Sequence, residues 1–238
     1  MFTFIHMIIY LWIYIILSLL NLAGEFGHFP LVSMATKVLL MPTLIVYAWQ
    51  RSGFSGNLKF IVYGLFFSWL GDIFLMFPRE HYSETLRTLL FLAGLLSFLA
   101  AHIQYIIAFI KDIHPYPKAS IIIENPYIVL PFLIYILPLL IYLSSSTGKL
   151  TMPVWIYGAA IITMAITAFN RKNIVSEKSF LLVFSGAVFF VLSDSVLALT
   201  LFCSHLPYER VVIMATYLVA QMCITYGFVL NKTERPRI

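Results

Sequence analysis

Four ionisable side chains stand inside long apolar runs of this sequence: Lys37, Asp72, His102 and Asp194. Of its fifteen Lys and Arg, only Lys37 lies well inside such a run. Of its ten Asp and Glu only Asp72 and Asp194 do, and of its six His only His102 is deep. A charge at the centre of a bilayer costs about 2.5 kcal/mol or far more, so such groups turn to the protein interior and default to function. Burial raises the pKa of a carboxyl group and a nearby cation lowers it, so two Asp and a Lys in one layer can settle unequally. One carboxyl ionised beside Lys37 and one protonated is the arrangement of a general base and a general acid. Hydrolysis through an oxocarbenium-like state suits that pair best, and which Asp takes which part stays open. The bland reading is a structural Asp–Lys pair, with His102 a polar residue satisfied between helices.

The elements that must position these groups follow from composition. Of 238 residues, 61% are hydrophobic and 11% charged, and mean hydropathy is +0.95. Soluble domains carry about 25% charged residues, so the solvent that fits is the bilayer. Spans of about 20 apolar residues are expected at 4–22, 30–50, 58–77, 87–110, 127–143, 152–169, 179–203 and 208–230. Pro30, Pro78, Pro115, Pro117, Pro126, Pro153 and Pro207 fall at or beside the breaks, where a residue without an N–H belongs. Pro42, Pro131 and Pro138 fall inside spans and should kink them or mark shorter helices. Unbroken apolar runs such as Ile61 to Leu75 contradict the alternation of a membrane barrel. The expected fold is all-α, a polytopic bundle of eight transmembrane helices in one membrane domain, residues 1–238. The first run carries no Lys or Arg before it and reads as a retained span.

Lys and Arg mark the cytoplasmic side. Arg51, Lys59, Lys111, Lys118, Arg171, Lys172, Lys178, Lys232, Arg235 and Arg237 fall on the side of both termini. Only Arg79, Arg87, Lys149 and Arg210 fall on the other. Both termini are therefore expected in the cytoplasm. The same asymmetry explains the net charge of +5. At 1.5 Å per residue, Asp72, Lys37, Asp194 and Tyr217 lie about 9 to 13 Å below the outer rim, and His102 and Gln221 about 20 Å. His102 shares a helix face with Tyr105, and Tyr217 with Gln221. The pattern G-x-x-F-x-x-L-x-D-x-x-L occurs at Gly64 to Leu75 and again at Gly186 to Leu197. An even number of spans separates the copies, so two parallel four-helix repeats are expected, about 1–110 and 127–230. Asp72 and Asp194 would then be pseudo-equivalent across a central cavity, each preceded by a small residue, Gly71 or Ser193.

Other chemistries lack their residues. There is no G-x-S-x-G elbow and no H-E-x-x-H. A catalytic zinc usually takes about three protein ligands, and His6, His28, His81, His114 and His205 lie near span ends. No metal or other cofactor is expected. Cys203 and Cys223 imply no disulfide framework. No basic run interleaves with aromatics, so nucleic acid is not an expected partner.

The same positions carry a resemblance. Thr36-Lys37 with Met41-Pro42, Gly71-Asp72-Ile73-Phe74-Leu75, and Phe91, Gly94, Ser97-Phe98, Ala101-His102 and Tyr105 are followed by Tyr157, Gly186-Ala187, Phe189, Ser193-Asp194, Tyr217 and Ala220-Gln221. In this order, over about residues 30 to 230, they resemble the YhhN-like lysoplasmalogenase family of multi-pass membrane proteins. Val38 stands where that pattern would have a proline, and 111–150 matches little. The resemblance implies hydrolysis of the vinyl ether bond of a lysoplasmalogen to a fatty aldehyde and glycerophospho-ethanolamine or -choline. It implies Asp72 and Asp194 as the acid–base pair. Lys37 would tune a carboxylate or hold phosphate, and Tyr217, Gln221, His102 and Tyr105 would orient water or the glycerol hydroxyl. Tyr157 and Ser193 join the supporting set. The partners implied are a lysophospholipid substrate and membrane lipids, and a bacterial cytoplasmic membrane suits so short a chain. The alternatives are a proton-coupled lipid or small-molecule transporter and a non-catalytic lipid-binding protein. Aldehyde release without a gradient separates the first from an enzyme. Loss of stability rather than turnover in Asp→Asn variants marks the second.

Overall fold

In lipid, backbone N–H and C=O groups must pair within the chain, and a run of apolar residues does so as a helix. The computed structural model describes residues 2–52, 56–76, 83–115 and 120–234, with side chains for 8–51, 56–76, 83–115 and 120–231. Pro78 and Pro117, and the side chains of His6, Arg79, His81, Lys118, Lys232, Arg235 and Arg237, lie outside these. The described residues form eight long helices and no strand. They are α1 Phe2–Phe26, α2 Pro30–Ser52, α3 Leu58–Met76, α4 Glu84–Ile113, α5 Leu130–Thr147, α6 Thr151–Phe169, α7 Glu177–Phe202 and α8 Glu209–Glu234. One-turn helices at Ile121–Glu124, Pro126–Val129 and Gly148–Leu150 fill the connections. Every long helix lies where the apolar runs place it, with ends shifted by a few residues.

Among the described residues, seven segments are long and apolar enough to cross a membrane, and one of them, Pro126–Phe169, spans 44 residues. That segment is two helices folded back on each other. Leu140 packs on Gly158, Trp155 Nε1 donates to Ser144 Oγ at 2.9 Å, and the Thr147 and Thr151 hydroxyls meet at 2.8 Å. Each step back along α5 is matched by a step forward along α6, as in an antiparallel hairpin. The reversal is at Gly148, whose φ of 52° suits a residue without Cβ. Eighteen and nineteen residues rise about 27 and 28 Å, close to the hydrocarbon thickness of about 30 Å. The bundle is polytopic and all-helical. Its large apolar side chains, among them Leu19, Leu31, Ile134 and Ile141, stay exposed, as a lipid-facing surface requires.

Proline behaves in three ways. Pro131 falls in the first turn of α5, where its missing N–H costs nothing. Pro138 lies inside α5, and Pro42 inside α2. Pro42 cannot donate to the carbonyl four residues back, which is Val38. The indole Nε1 of Trp69 on α3 donates to that oxygen instead, at 2.9 Å.

The chain divides into two compact units, Met1–Tyr105 and Ile106–Ile238, with the division inside α4. In the first unit, α3 and α4 pack through glycines. A Cβ on Gly64 would fall 2.3 Å from the Tyr105 ring, one on Gly71 2.6 Å from the Phe98 ring, and one on Gly94 2.7 Å from Leu75. Seven residues forward from Gly64 to Gly71 match seven back from Tyr105 to Phe98. Four more reach Leu75 and Gly94, so three knob-in-notch contacts fix one antiparallel register. In the second unit Gly186 lies against the Ala220 carbonyl and Ile224, and Gly227 against Leu182 and Val183, which brings α7 and α8 together. Such small-residue contacts hold helices in lipid, where apolar burial gives no drive between them.

This packing generates a stability prediction. Gly64→Ala should destabilise the detergent-solubilised protein by about 1–3 kcal/mol, the usual cost of overpacking. Adding Tyr105→Ala should make the pair cost less than the sum of the two single changes. Thermal unfolding measures both, and a neutral Gly64→Ala would contradict the register.

Candidate active site

The second unit builds its polar centre from three consecutive residues of α7. Successive helical residues point about 100° apart, so Ser193, Asp194 and Ser195 face three directions, and each meets a different helix. Ser193 Oγ donates to the Ile213 carbonyl of α8 at 2.9 Å. The Tyr157 hydroxyl of α6 donates to Asp194 Oδ2. The Tyr135 hydroxyl of α5 donates to Ser195 Oγ at 2.9 Å, and Ser195 passes its own hydrogen to Val191 O at 2.7 Å. The serines are buried and Asp194 is half-buried. One turn earlier on α7, Phe190 takes the edge of the Tyr217 ring, with centroids 5.5 Å apart. Tyr217 is 4% exposed and Gln221, one turn along the same face, is fully buried.

In the first unit, Asp72 is 7% exposed. It follows Gly71, whose notch holds Phe98, so the α3–α4 contact fixes its position. His102 is fully buried on α4 between Phe98 and Tyr105. The Tyr105 ring fills the notch at Gly64, also without exposure. Lys37 is half-buried, next to Thr36, whose hydroxyl donates to Val32 O at 2.7 Å and accepts from Asn21 Nδ2 at 2.9 Å. Among the described residues Lys37 makes no ion pair, so the Lys–Asp pair open to it on depth alone is not formed there. The reason is directional. Side chains tilt toward the N-terminus of their helix, and α2 and α3 run opposite ways, so Lys37 leans toward the Pro30 end of α2 and Asp72 toward the Leu58 end of α3.

The nine candidate residues thus fall in two groups. Lys37, Asp72, His102 and Tyr105 belong to the first unit; Tyr157, Ser193, Asp194, Tyr217 and Gln221 belong to the second. Within the second group a hydrogen bond joins Tyr157 to Asp194 directly. Among the described residues no three His, Cys, Asp or Glu side chains gather as a metal site would need.

The structure adds residues that the sequence reading passed over. Tyr135 and Ser195 are two; the signal was a serine on each side of an aspartate in an apolar helix. A larger omission lies at the far end of α4. The span expected to stop at 110 continues to Ile113 and carries Asp112 into the interior, so the count of buried acids was short. Arg171, counted as a loop cation, is likewise fully buried. Its Nη2 lies 3.1 Å from Asp112 Oδ2 and 3.2 Å from Ser179 Oγ. Its guanidinium stands 5.4 Å from the Phe109 ring centroid and 5.2 Å from that of Phe228. Asn231 Nδ2 also reaches Asp112 Oδ2, at 3.3 Å. This lock joins the ends of α4, α7 and α8 to the segment after α6.

With the site described, comparison with known proteins places the chain. Residues 32–228 match the model of the YhhN family. The chain belongs to the YhhN family. All nine candidate residues fall within the matched stretch. The human protein named lysoplasmalogenase TMEM86A is 33% identical over 176 residues, which is 72% of this chain and 66% of that protein, so the chain spans just under two thirds of that relative. The bovine protein of the same name is 32% identical over 175 residues, again 72% of the chain and 66% of the relative. Human lysoplasmalogenase TMEM86B is 28% identical over 195 residues, covering 80% of the chain and 74% of the relative. No solved structure matches the chain.

The lock in this YhhN-family chain makes its own prediction. Asp112→Ala leaves a buried guanidinium uncompensated and should cost about 3–5 kcal/mol of stability. Asp112→Ala with Arg171→Met should recover most of that loss. Thermal unfolding in detergent reads both, and equal melting of wild type and Asp112→Ala would contradict the account.

Proposed function

We propose that this protein hydrolyses the vinyl ether bond of a lysoplasmalogen, releasing a fatty aldehyde and glycerophospho-ethanolamine or -choline. Family membership, with relatives named lysoplasmalogenases over most of the chain, supports the reaction. The observation that carries the mechanism is the Tyr157 hydroxyl donating to Asp194. An aspartate that accepts a phenol hydrogen is suited to remain an acceptor, and the proposal gives Asp194 the part of the base. Asp72, buried on α3, takes the part of the acid.

The chemistry then runs in three steps. Asp72 gives its proton to the outer alkenyl carbon; the double-bond pair forms the new C–H bond and leaves an oxocarbenium ion. Water attacks the carbon next to oxygen and its proton passes to Asp194. The hemiacetal then collapses: Asp194 returns that proton to the glycerol oxygen as the C–O bond breaks, and the Asp72 carboxylate takes the hydroxyl proton as the aldehyde forms, which restores both groups. Acid–base catalysis of this kind contributes about 10²–10⁴-fold each, and the second carboxylate also stabilises the cation. Ser193 and Tyr157 hold Asp194 in place. His102, Tyr105, Tyr217 and Gln221 set the positions of water and the glycerol hydroxyl, and Lys37 binds phosphate. The two aspartates are read as pseudo-equivalent members of two parallel repeats. The Lys and Arg asymmetry supports placing both termini in the cytoplasm, and a bacterial inner membrane is the setting proposed.

Purified protein should cleave lysolipids with an alkenyl linkage and spare those with alkyl or acyl linkages, as read by mass spectrometry. Asp72→Asn and Asp194→Asn should each lower aldehyde release by about 100-fold or more while the protein stays folded in detergent. Wild-type rates in either variant would remove the acid–base pair. A purified protein that released no aldehyde but moved lysolipid across a membrane under a proton gradient would be a coupled carrier instead.

A further inference from the structure

Beyond the reacting bond, the first unit carries a polar cluster of Asn21, Glu25 and Ser33 that the reaction as described does not use. We propose that Glu25, with Asn21 and Lys37, reads the headgroup of the substrate and selects a primary ammonium, as in ethanolamine, over a quaternary one. This rests on the lysolipid reading above and deepens it. Glu25 and Asn21 lie outside the stretch that matches the family model.

Asn21 and Glu25 are four residues apart on α1 and share a face. Both hold Ser33 of α2. Asn21 Nδ2 donates to the Ser33 carbonyl and to Thr36 Oγ1, each at 2.9 Å, and Ser33 Oγ donates to Glu25 Oε1. Only an N–H can face the Ser33 carbonyl, so the Asn21 amide has one orientation. Its Oδ1 then has no hydrogen-bond partner among the described residues, although Asn21 is fully buried. A buried acceptor without a donor is costly, and here it sits on the same face as a half-buried carboxylate. The Glu25 carboxylate, half-buried and engaged by Ser33 through one oxygen, favours an ammonium that carries N–H donors, directly or through one water. A choline nitrogen has no hydrogen to give.

The cluster lies at the right depth. The Trp69 bond to the Val38 carbonyl sets α2 against α3. From that level Asp72 is three residues toward one end and Ser33 is five residues toward the same end, about 4.5 and 7.5 Å. Glu25, held by Ser33, is therefore farther out than Asp72, as a headgroup is farther out than the alkenyl bond. Lys37 leans toward the same end. Its ammonium, without an ion pair among the described residues, would take the phosphate that stands between the two. An anion site inside and a cation site outside match the order of charges along a phosphoethanolamine head.

The test uses purified protein and three alkenyl lysolipids, with ethanolamine, choline or a bare phosphate as head. Wild type should prefer ethanolamine. Glu25→Gln keeps an oxygen for Ser33 but loses the charge, and should lower the ethanolamine-to-phosphate ratio of kcat/KM by about tenfold, the scale of one charge-assisted hydrogen bond. Lys37→Met should lower kcat/KM for all three substrates. A Glu25→Gln protein that keeps the wild-type ratio, or only melts earlier, overturns the proposal. Should wild type release aldehyde from none of the three, the reaction is wrong and binding decides the headgroup. Glycerophosphoethanolamine should then raise the wild-type melting temperature more than glycerophosphate does. Equal shifts, or the same difference in Glu25→Gln, overturn the proposal.

Discussion

A carboxyl group on an apolar helix needs a donor, and Tyr157 supplies it to Asp194. The rest of the second unit is arranged so that this bond is one of three. With Ser193 tied to α8 and Ser195 to α5, helix α7 is held from three sides at a single level, and it cannot rotate without breaking all three. The turn above α5–α6 contributes as well, because the α5–α6 hairpin must close at Gly148 for Tyr135 and Tyr157 to come from adjacent helices. Lipid does not compete for these bonds as water would, so each is modest in energy yet directional. A group fixed in this way costs little reorganisation when it meets a substrate, which is the property a base needs.

The first unit reaches a similar end by other means. Shape sets the helix that carries Asp72: an aromatic ring in the notch at Gly71, another at Gly64, and a leucine at Gly94. The polar bond between Trp69 and Val38 repairs a deficit left by Pro42. That repair explains how a proline can stay inside α2 without exposing a carbonyl to lipid, and it fixes the level of Lys37 and Thr36. The valine at 38, where the family pattern suggested proline, retains the carbonyl that Trp69 needs, as any residue would, so the departure leaves this contact intact.

Much of the fold was legible because apolar runs of about twenty residues have one solution in lipid. The eight long helices, the break between the spans at 127–143 and 152–169, and the placement of Lys37, Asp72 and Asp194 within helices followed from composition and spacing. The lock between Asp112 and Arg171 did not. Each residue sits at the edge of a span, where a charge is ordinary, and only the extra turn of α4 and the Phe109 and Phe228 rings show that both are buried. The Asn21–Ser33–Glu25 cluster was missed for the same reason. Depth could place Lys37 and Asp72 in one layer, but it could not say that their side chains lean apart, because that depends on helix direction. The partnership of Tyr135 with Ser195 required knowing which helices are neighbours, and sequence order alone does not give that.

The central claim is that the protein adds a proton to the outer alkenyl carbon and then water to the adjacent one. Reaction of the purified protein with an alkenyl lysolipid in deuterium oxide, with the aldehyde trapped at once by reduction, tests this in one mass spectrum. Protonation at carbon should place one deuterium on the carbon next to the former carbonyl in every product molecule. Product without that deuterium would contradict the mechanism, whatever the rate of its release.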